Sequence, residues 1–205
     1  MSDLKLISFP KNSTQYLAPT WDQMNQLAFE MCQKIDADRN KFNRVVTLAK
    51  GGWPMTRSLV DFLQVDEVAS IGVKFYKGEN DRYDHPQIYQ DIPTSIQGET
   101  ILLFDDVADT GESLKFTIDY LKIRGVKEVK TATLYYKPHS AIKPDYYGAK
   151  TSAWIVFPYE AREMIVSTSK KWLEAGLDKK EILNRFNKLN FNSEWTEYFL
   201  NRIDK

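Results

Sequence analysis

Residues 100–104 read TILLF, an apolar run without polar alternation that ends abruptly in two aspartates, Asp105 and Asp106. A strand apolar on both sides of its pleat must be covered on both faces. That places it in the middle of a sheet layered between helices and favours parallel pairing. The neighbouring segments repeat the theme. RVVTLA (44–49), VASIGVKFY (68–76), EVKTATLYY (128–136) and SAWIVF (152–157) read as further strands. Between them lie helical patterns. Thr20 is placed to N-cap a helix whose apolar residues Trp21, Met24, Leu27, Ala28, Met31 and Ile35 recur at helical spacing. Pro54 opens a second helix over 55–63, and a third, over 113–124, ends at Gly125. Strand, loop, helix, strand is the rhythm of an α/β fold with a mostly parallel central sheet flanked by helices.

Such sheets bind ligands beyond the carboxyl ends of their strands. Three loops follow strands here, AKGGWP, DDVADTG and KPHSA, and all are expected on one edge of the sheet. A long polar stretch, 77–98, is dotted with Gly and Pro and reads as one loop, which at that length is a functional lid or disordered. The chain carries 28 basic and 28 acidic side chains, so no global field draws an anion, and any anionic ligand must be held by local geometry. Nothing in that balance asks for nucleic acid or an acidic membrane. Cys32 is the only cysteine, which excludes an intramolecular disulfide and fits a reducing compartment. No apolar run is long enough to span a bilayer, and the start, MSDLKLISFP, has no signal pattern, so a cytoplasmic protein is expected.

A carboxylate pair at a strand end offers two acceptors facing one direction, suited to a divalent cation or a vicinal diol. The following ADTGES supplies backbone amides, the hydroxyls of Thr110 and Ser113, a glycine for a tight turn and a helix start, which together make an anion cradle. A ribose 5-phosphate presents both a diol and a phosphate. On spacing alone an ordinary helix-capping turn explains the same residues, and the two readings stay open. A phosphoacceptor domain would need a further aspartate and a lysine in an order absent here.

The stretch ILLFDDVADTGES resembles the phosphoribosyl pyrophosphate (PRPP) motif of type I phosphoribosyltransferases: an apolar run, two acids, two variable residues, then Asp-Thr-Gly and a hydroxyl residue. Thr20-Trp21-Asp22, AKGGWP, YYKPHSA and SAWIVFPYE are similar to further segments of the 6-oxopurine (xanthine-guanine and hypoxanthine-guanine) members, in the expected order over about residues 20–160. The resemblance implies the type I fold with a hood over the base site. It implies that Asp105 and Asp106 hold the ribose hydroxyls of PRPP. Ala108, Asp109, Thr110, Gly111, Glu112 and Ser113 would wrap the 5′-phosphate, and Lys50, Gly51 and Gly52 would face the pyrophosphate, in a loop where relatives often hold a cis peptide. Asp109 becomes the acid/base near N7 of the purine. Lys137 donates to the 6-oxo group, since an ammonium has only donors and favours a carbonyl over an amino group. Trp154 stacks on the base and Ile155 offers backbone atoms to its edge. Glu160 aligns with an acid, usually Asp, that helps hold Mg²⁺, with Asp105 and Asp106 acting indirectly. Relatives often start their lid with Ser-Tyr; here Phe75 lacks the hydroxyl and Tyr76 keeps the tyrosine. Asp81, Asp84 and His85 in the lid receive no role.

The implied reaction is purine salvage: PRPP and hypoxanthine, guanine or xanthine give the nucleoside 5′-monophosphate and pyrophosphate, with Mg²⁺. Alternatives are transfer to adenine or a pyrimidine, or a PRPP-sensing regulator without catalysis. Asp109, Lys137 and the Trp154 segment favour the enzyme, because a sensor needs no base pocket. Residues 1–160 are expected to form the phosphoribosyltransferase domain and 161–205 a helical extension. In that extension Trp172, Leu173, Leu177, Ile182, Leu183, Phe186, Leu189, Trp195, Tyr198 and Phe199 need a surface to cover them, on the parent domain or on a second subunit. Its mixed charge argues against a DNA-binding helix-turn-helix. A homodimer is the expected assembly.

Overall fold

The protein is described from a computed structural model covering residues 5–10, 12–77 and 84–203. Its elements run β1 (Leu6–Ser8), β2 (Gln15–Leu17), α1 (Trp21–Ala37), β3 (Arg44–Ala49), α2 (Trp53–Leu63), β4 (Glu67–Lys77), β5 (Asp84–Gln90), β6 (Thr100–Ala108), α3 (Glu112–Ile123), β7 (Glu128–Tyr136), β8 (Tyr146–Lys150), β9 (Trp154–Ile155), a 3₁₀ turn (Pro158–Glu160), α4 (Ala161–Glu174), α5 (Lys179–Lys188) and α6 (Ser193–Leu200). They divide into two compact units, residues 24–152 and residues 1–23 with 153–205.

The first unit is an α/β sheet of order β5-β4-β3-β6-β7-β8, in which all neighbours pair parallel except the edge strand β5, antiparallel to β4. Ile101, Leu102, Leu103 and Phe104 are all 0% exposed, as a strand covered on both faces requires. Each such side chain contributes roughly 1.5–3 kcal/mol of burial. On one face Val46, Leu48, Ile71, Ile101 and Leu103 pack with Leu114 and Leu121 of α3. From β3 the chain proceeds to β4 on one side, while β6 lies on the other. The switch point of the sheet therefore falls between β3 and β6, the place at which open α/β sheets bind their ligands.

Three sequence expectations change here. The stretch 77–98 is not one loop. Residues 84–90 form β5, and Pro86 is tolerated because β5 is an edge. Residues 91–98 are pinned: Ile92 and Ile96 are buried in the core, and Asp91 is bridged to Arg124 at 2.8 Å and hydrogen-bonded by Tyr120. Second, SAWIVF shrinks to the two-residue β9, which pairs parallel with β2 in a separate three-stranded sheet, β1-β2-β9. Third, Trp21 is about half exposed and stands outside the buried helical stripe of Met24, Leu27, Ala28, Met31 and Ile35. Its ring meets Tyr159 instead.

The second unit is built around the C-terminal helices. Trp172, Ile182, Phe186 and Leu189 pack on Phe9 and Tyr16 from the N-terminal strands and on Val156. Arg185, almost fully buried, lies over the rings of Phe9 and Trp172 and donates to the Pro10 carbonyl. The apolar residues of 161–205 thus find cover within their own chain, apart from Trp195 and Tyr198, which stay half exposed. Among the described residues no helix is long and apolar enough to cross a membrane.

Candidate active site

β3, β6 and β7 are adjacent and parallel, so the loops that follow them lie side by side at one edge of the sheet. The loop after β3 begins with a cis peptide between Ala49 and Lys50. It then passes so close to β6 that a Cβ built on Gly51 would stand 2.6 Å from Asp106 Oδ2. One on Gly52 would meet Thr47 Oγ1 and, at 3.0 Å, the Phe104 carbonyl. No side chain fits at either position, and that is the physical reason for two consecutive glycines. Lys50 itself is exposed, at the mouth of the loop.

β6 continues four residues past Phe104 because β7 pairs with it as far as Tyr136. Asp105 and Asp106 therefore sit inside a strand, where successive side chains alternate in direction. The expectation of two acceptors facing one way is corrected accordingly. The Asp106 carboxylate, buried, lies beneath Gly51, while Asp105 Oδ1 accepts the backbone N–H of Asp106 at 3.0 Å.

The chain leaves β6 at Ala108 and turns through Asp109 and Thr110 to Gly111, the N-cap of α3, at φ 81°. That left-handed conformation suits glycine. It also packs Gly111 against the next loop, where an added Cβ would stand 2.5 Å from Ser140 Oγ and 2.9 Å from the Ile142 nitrogen. Thr110 Oγ1 accepts the Glu112 N–H at 3.3 Å. The open first turn of α3 leaves the amides of Gly111 and Ser113 and the positive end of the helix dipole, with the Ser113 hydroxyl beside them.

The loop after β7 is laced to this turn. Lys137 N donates to the Ala108 carbonyl at 3.0 Å and Ala141 N to the Thr110 carbonyl at 2.8 Å. The lacing brings Lys137 Nζ, buried, to 3.4 Å from Asp109 Oδ1. It also brings His139 Nε2 to 3.0 Å from the same oxygen. Sequence reasoning passed over His139; its position two residues after Lys137 in a strand-following turn was the available signal. Among the described residues no three His, Cys, Asp or Glu side chains form a metal cluster.

The model of the phosphoribosyl transferase domain matches residues 20–163, more than half of the chain. The chain belongs to this family. Within it, the chain is 30% identical over 115 residues to the hypoxanthine-guanine phosphoribosyltransferase of Streptococcus agalactiae serotype V (strain ATCC BAA-611 / 2603 V/R), covering 55% of this chain and 64% of that protein. The chain thus spans less than two thirds of that relative's length. It is 23% identical over 156 residues to the xanthine-guanine phosphoribosyltransferase of Gluconobacter oxydans (strain 621H), covering 75% of this chain and 90% of the relative. Among solved structures it is similar to the purine phosphoribosyltransferase of Pyrococcus horikoshii Ot3, at a TM-score of 0.64 and 32% identity over 70% of this chain and 93% of that one. The fold is the α/β phosphoribosyltransferase type.

Trp154, Ile155 and Glu160 belong to the second unit. Trp154 stands on β9 beside Tyr16 and is 52% exposed, so it is not a core tryptophan. It borders a cavity of about 360 Å³ also lined by Tyr16, Thr168, Lys171 and Trp172. Ile155 is buried. Glu160 is exposed at the N-cap of α4. Tyr76 lies on β4 in register with His85; the side chains of both, and residues 78–83, are outside the described part.

Proposed function

We propose that the protein transfers the phosphoribosyl group of PRPP to a 6-oxopurine, giving the nucleoside 5′-monophosphate and pyrophosphate. The close approach of the Lys50-Gly51-Gly52 loop to Asp106 at the switch point of the sheet carries this reading. A ligand with a pyrophosphate at one end, a diol in the middle and a phosphate at the other matches that line of groups. Lys50 and the amides of Gly51 and Gly52 face the pyrophosphate, residues 108–113 face the 5′-phosphate, and Asp105 and Asp106 reach the ribose hydroxyls from the two sides of β6.

In the reaction the bond between C1 and the pyrophosphate oxygen breaks and the leaving group takes the electron pair. A purine nitrogen forms the new bond to C1 while the proton at N7 passes to the Asp109 carboxylate. Lys137 has the donor needed by a 6-oxo group and lies within reach of Asp109. Trp154 has an exposed indole suited to stacking, worth about 1–3 kcal/mol per base, and Ile155 keeps the role of offering backbone atoms to the base. Mg²⁺ fits the carboxylate chemistry of Asp105, Asp106 and Glu160. It characteristically binds through one or two carboxylates together with substrate phosphates, so a dedicated three-ligand cage is not required. When bound it spreads the charge developing on the leaving pyrophosphate. Tyr76 is the residue assigned to closure over the site, and a cytoplasmic homodimer is the proposed setting.

The test is incubation with PRPP, Mg²⁺ and, separately, hypoxanthine, guanine, xanthine and adenine, following nucleotide by chromatography. Turnover of at least one 6-oxopurine is expected. PRPP binding without turnover of any base would overturn the reading in favour of a sensor.

A further inference from the structure

Asp109 has two cationic or donor neighbours, both on the loop after β7 and both on one oxygen. Lys137 Nζ lies 3.4 Å from Oδ1 and His139 Nε2 lies 3.0 Å from it. Among the described residues nothing bonds Oδ2. The shorter contact is the one to His139, and 3.0 Å is a hydrogen-bond distance, whereas 3.4 Å is an ion-pair distance. A carboxylate only accepts, so the contact requires a proton on Nε2. The loop bearing the imidazole is fixed to the Asp109 turn by the Lys137 N to Ala108 O and Ala141 N to Thr110 O bonds and by the Ser140 packing on Gly111. The imidazole is therefore tethered relative to the carboxylate, although His139 itself is well exposed.

We propose that His139 is a positioning residue for the transfer reaction: its Nε2–H fixes the rotamer of Asp109 through Oδ1 and leaves Oδ2 for the substrate. This rests on the proposed function in its catalytic part only. A second donor on Oδ1 removes the demand that Lys137 alone anchor the carboxylate. A misaligned general base costs rate rather than PRPP affinity, because PRPP is held by the Lys50–Gly52, Asp105–Asp106 and 108–113 groups.

Two variants separate positioning from packing. His139→Ala removes the donor. His139→Gln keeps an amide N–H near the place of Nε2. The expected result is that His139→Ala lowers kcat about tenfold or more with the KM for PRPP little changed, and that His139→Gln recovers most of the loss. Unchanged kcat in His139→Ala, or a loss that His139→Gln does not recover, would overturn the proposal.

A second readout does not need activity. The chain has only two histidines, His85 and His139, so ¹⁵N-histidine NMR of the full chain is assigned by comparison with His139→Gln. The imidazole of His139 is expected as the Nε2–H tautomer, and Asp109→Asn is expected to shift its ring nitrogen resonances away from that state. An Nδ1–H tautomer, or ring resonances indifferent to Asp109→Asn, would overturn the contact. If no base is turned over, the proposed function fails and this spectrum alone decides whether the pairing exists.

Discussion

At the scale of single residues, the site is set by positions where nothing else fits. Gly51 and Gly111 each sit where a Cβ would collide, one with the Asp106 carboxylate and the other with Ser140 and the Ile142 backbone. Their costs differ in kind. Gly51→Ala must displace Asp106 and is expected to abolish PRPP binding while leaving the fold intact, as read by calorimetric titration against a retained unfolding midpoint. Gly111→Ala also forces a non-glycine residue to φ 81°, which costs about 1–2 kcal/mol before the clash is counted. The urea midpoint should therefore fall measurably. Cys32 illustrates the opposite case, a reactive group made inert. Burial, reinforced by Asp36, pushes its thiol up to about 12, so the thiolate that reacts with disulfide reagents is scarce at pH 8. Native protein should leave a chromogenic disulfide unreacted for minutes, and protein in urea should react at once; rapid labelling of the native state would contradict this burial. The aspartates, the glycines and the lysine were readable as residues. The contact of His139 with Asp109 was not, because it depends on a backbone lacing between two loops that sequence does not display.

At the scale of elements, the parts that follow local rules were legible and those set by partners were not. RVVTLA and EVKTATLYY became β3 and β7 with the expected bounds, because their apolar runs fill a sheet interior. Thr20 caps α1 as expected. It accepts from Gln23 N at 3.2 Å, and Gln23 Oε1 accepts from Thr20 N at 2.9 Å, a reciprocal capping box. Thr20→Ala should cost about 1 kcal/mol in a denaturation experiment. β5 and β8 escaped notice because each is an edge strand of polar and aromatic residues that needs only one neighbour. SAWIVF misled because it pairs with β2 and its Val156 packs in the core of the second unit, not against the parallel sheet. In sequence the two aspartates read as a strand end, and only the length of β7 shows that they lie within the strand.

At the scale of the whole molecule, the chain divides into two compact units, and the C-terminal helices belong to one of them. The apolar surplus after residue 160 signalled that these helices needed cover. Where the cover lies, on Phe9, Tyr16 and Val156, is a long-range fact that periodicity does not contain. Trp172 contacts Phe9, Tyr16 and Phe186 in that core, so Trp172→Ala is expected to destabilise by about 3–5 kcal/mol, read as a lowered midpoint of thermal or urea unfolding. An unchanged midpoint would mean that the helices contribute little to the folded state. The account as a whole turns on the acceptor of the phosphoribosyl group, and the most direct measurement is the ratio of kcat/KM for hypoxanthine over adenine at fixed PRPP and Mg²⁺. A site whose buried lysine can only donate should favour the 6-oxo base by at least about a hundredfold. A ratio near one, or a preference for adenine, would contradict the role given to Lys137 and with it the reading of the protein as a 6-oxopurine phosphoribosyltransferase.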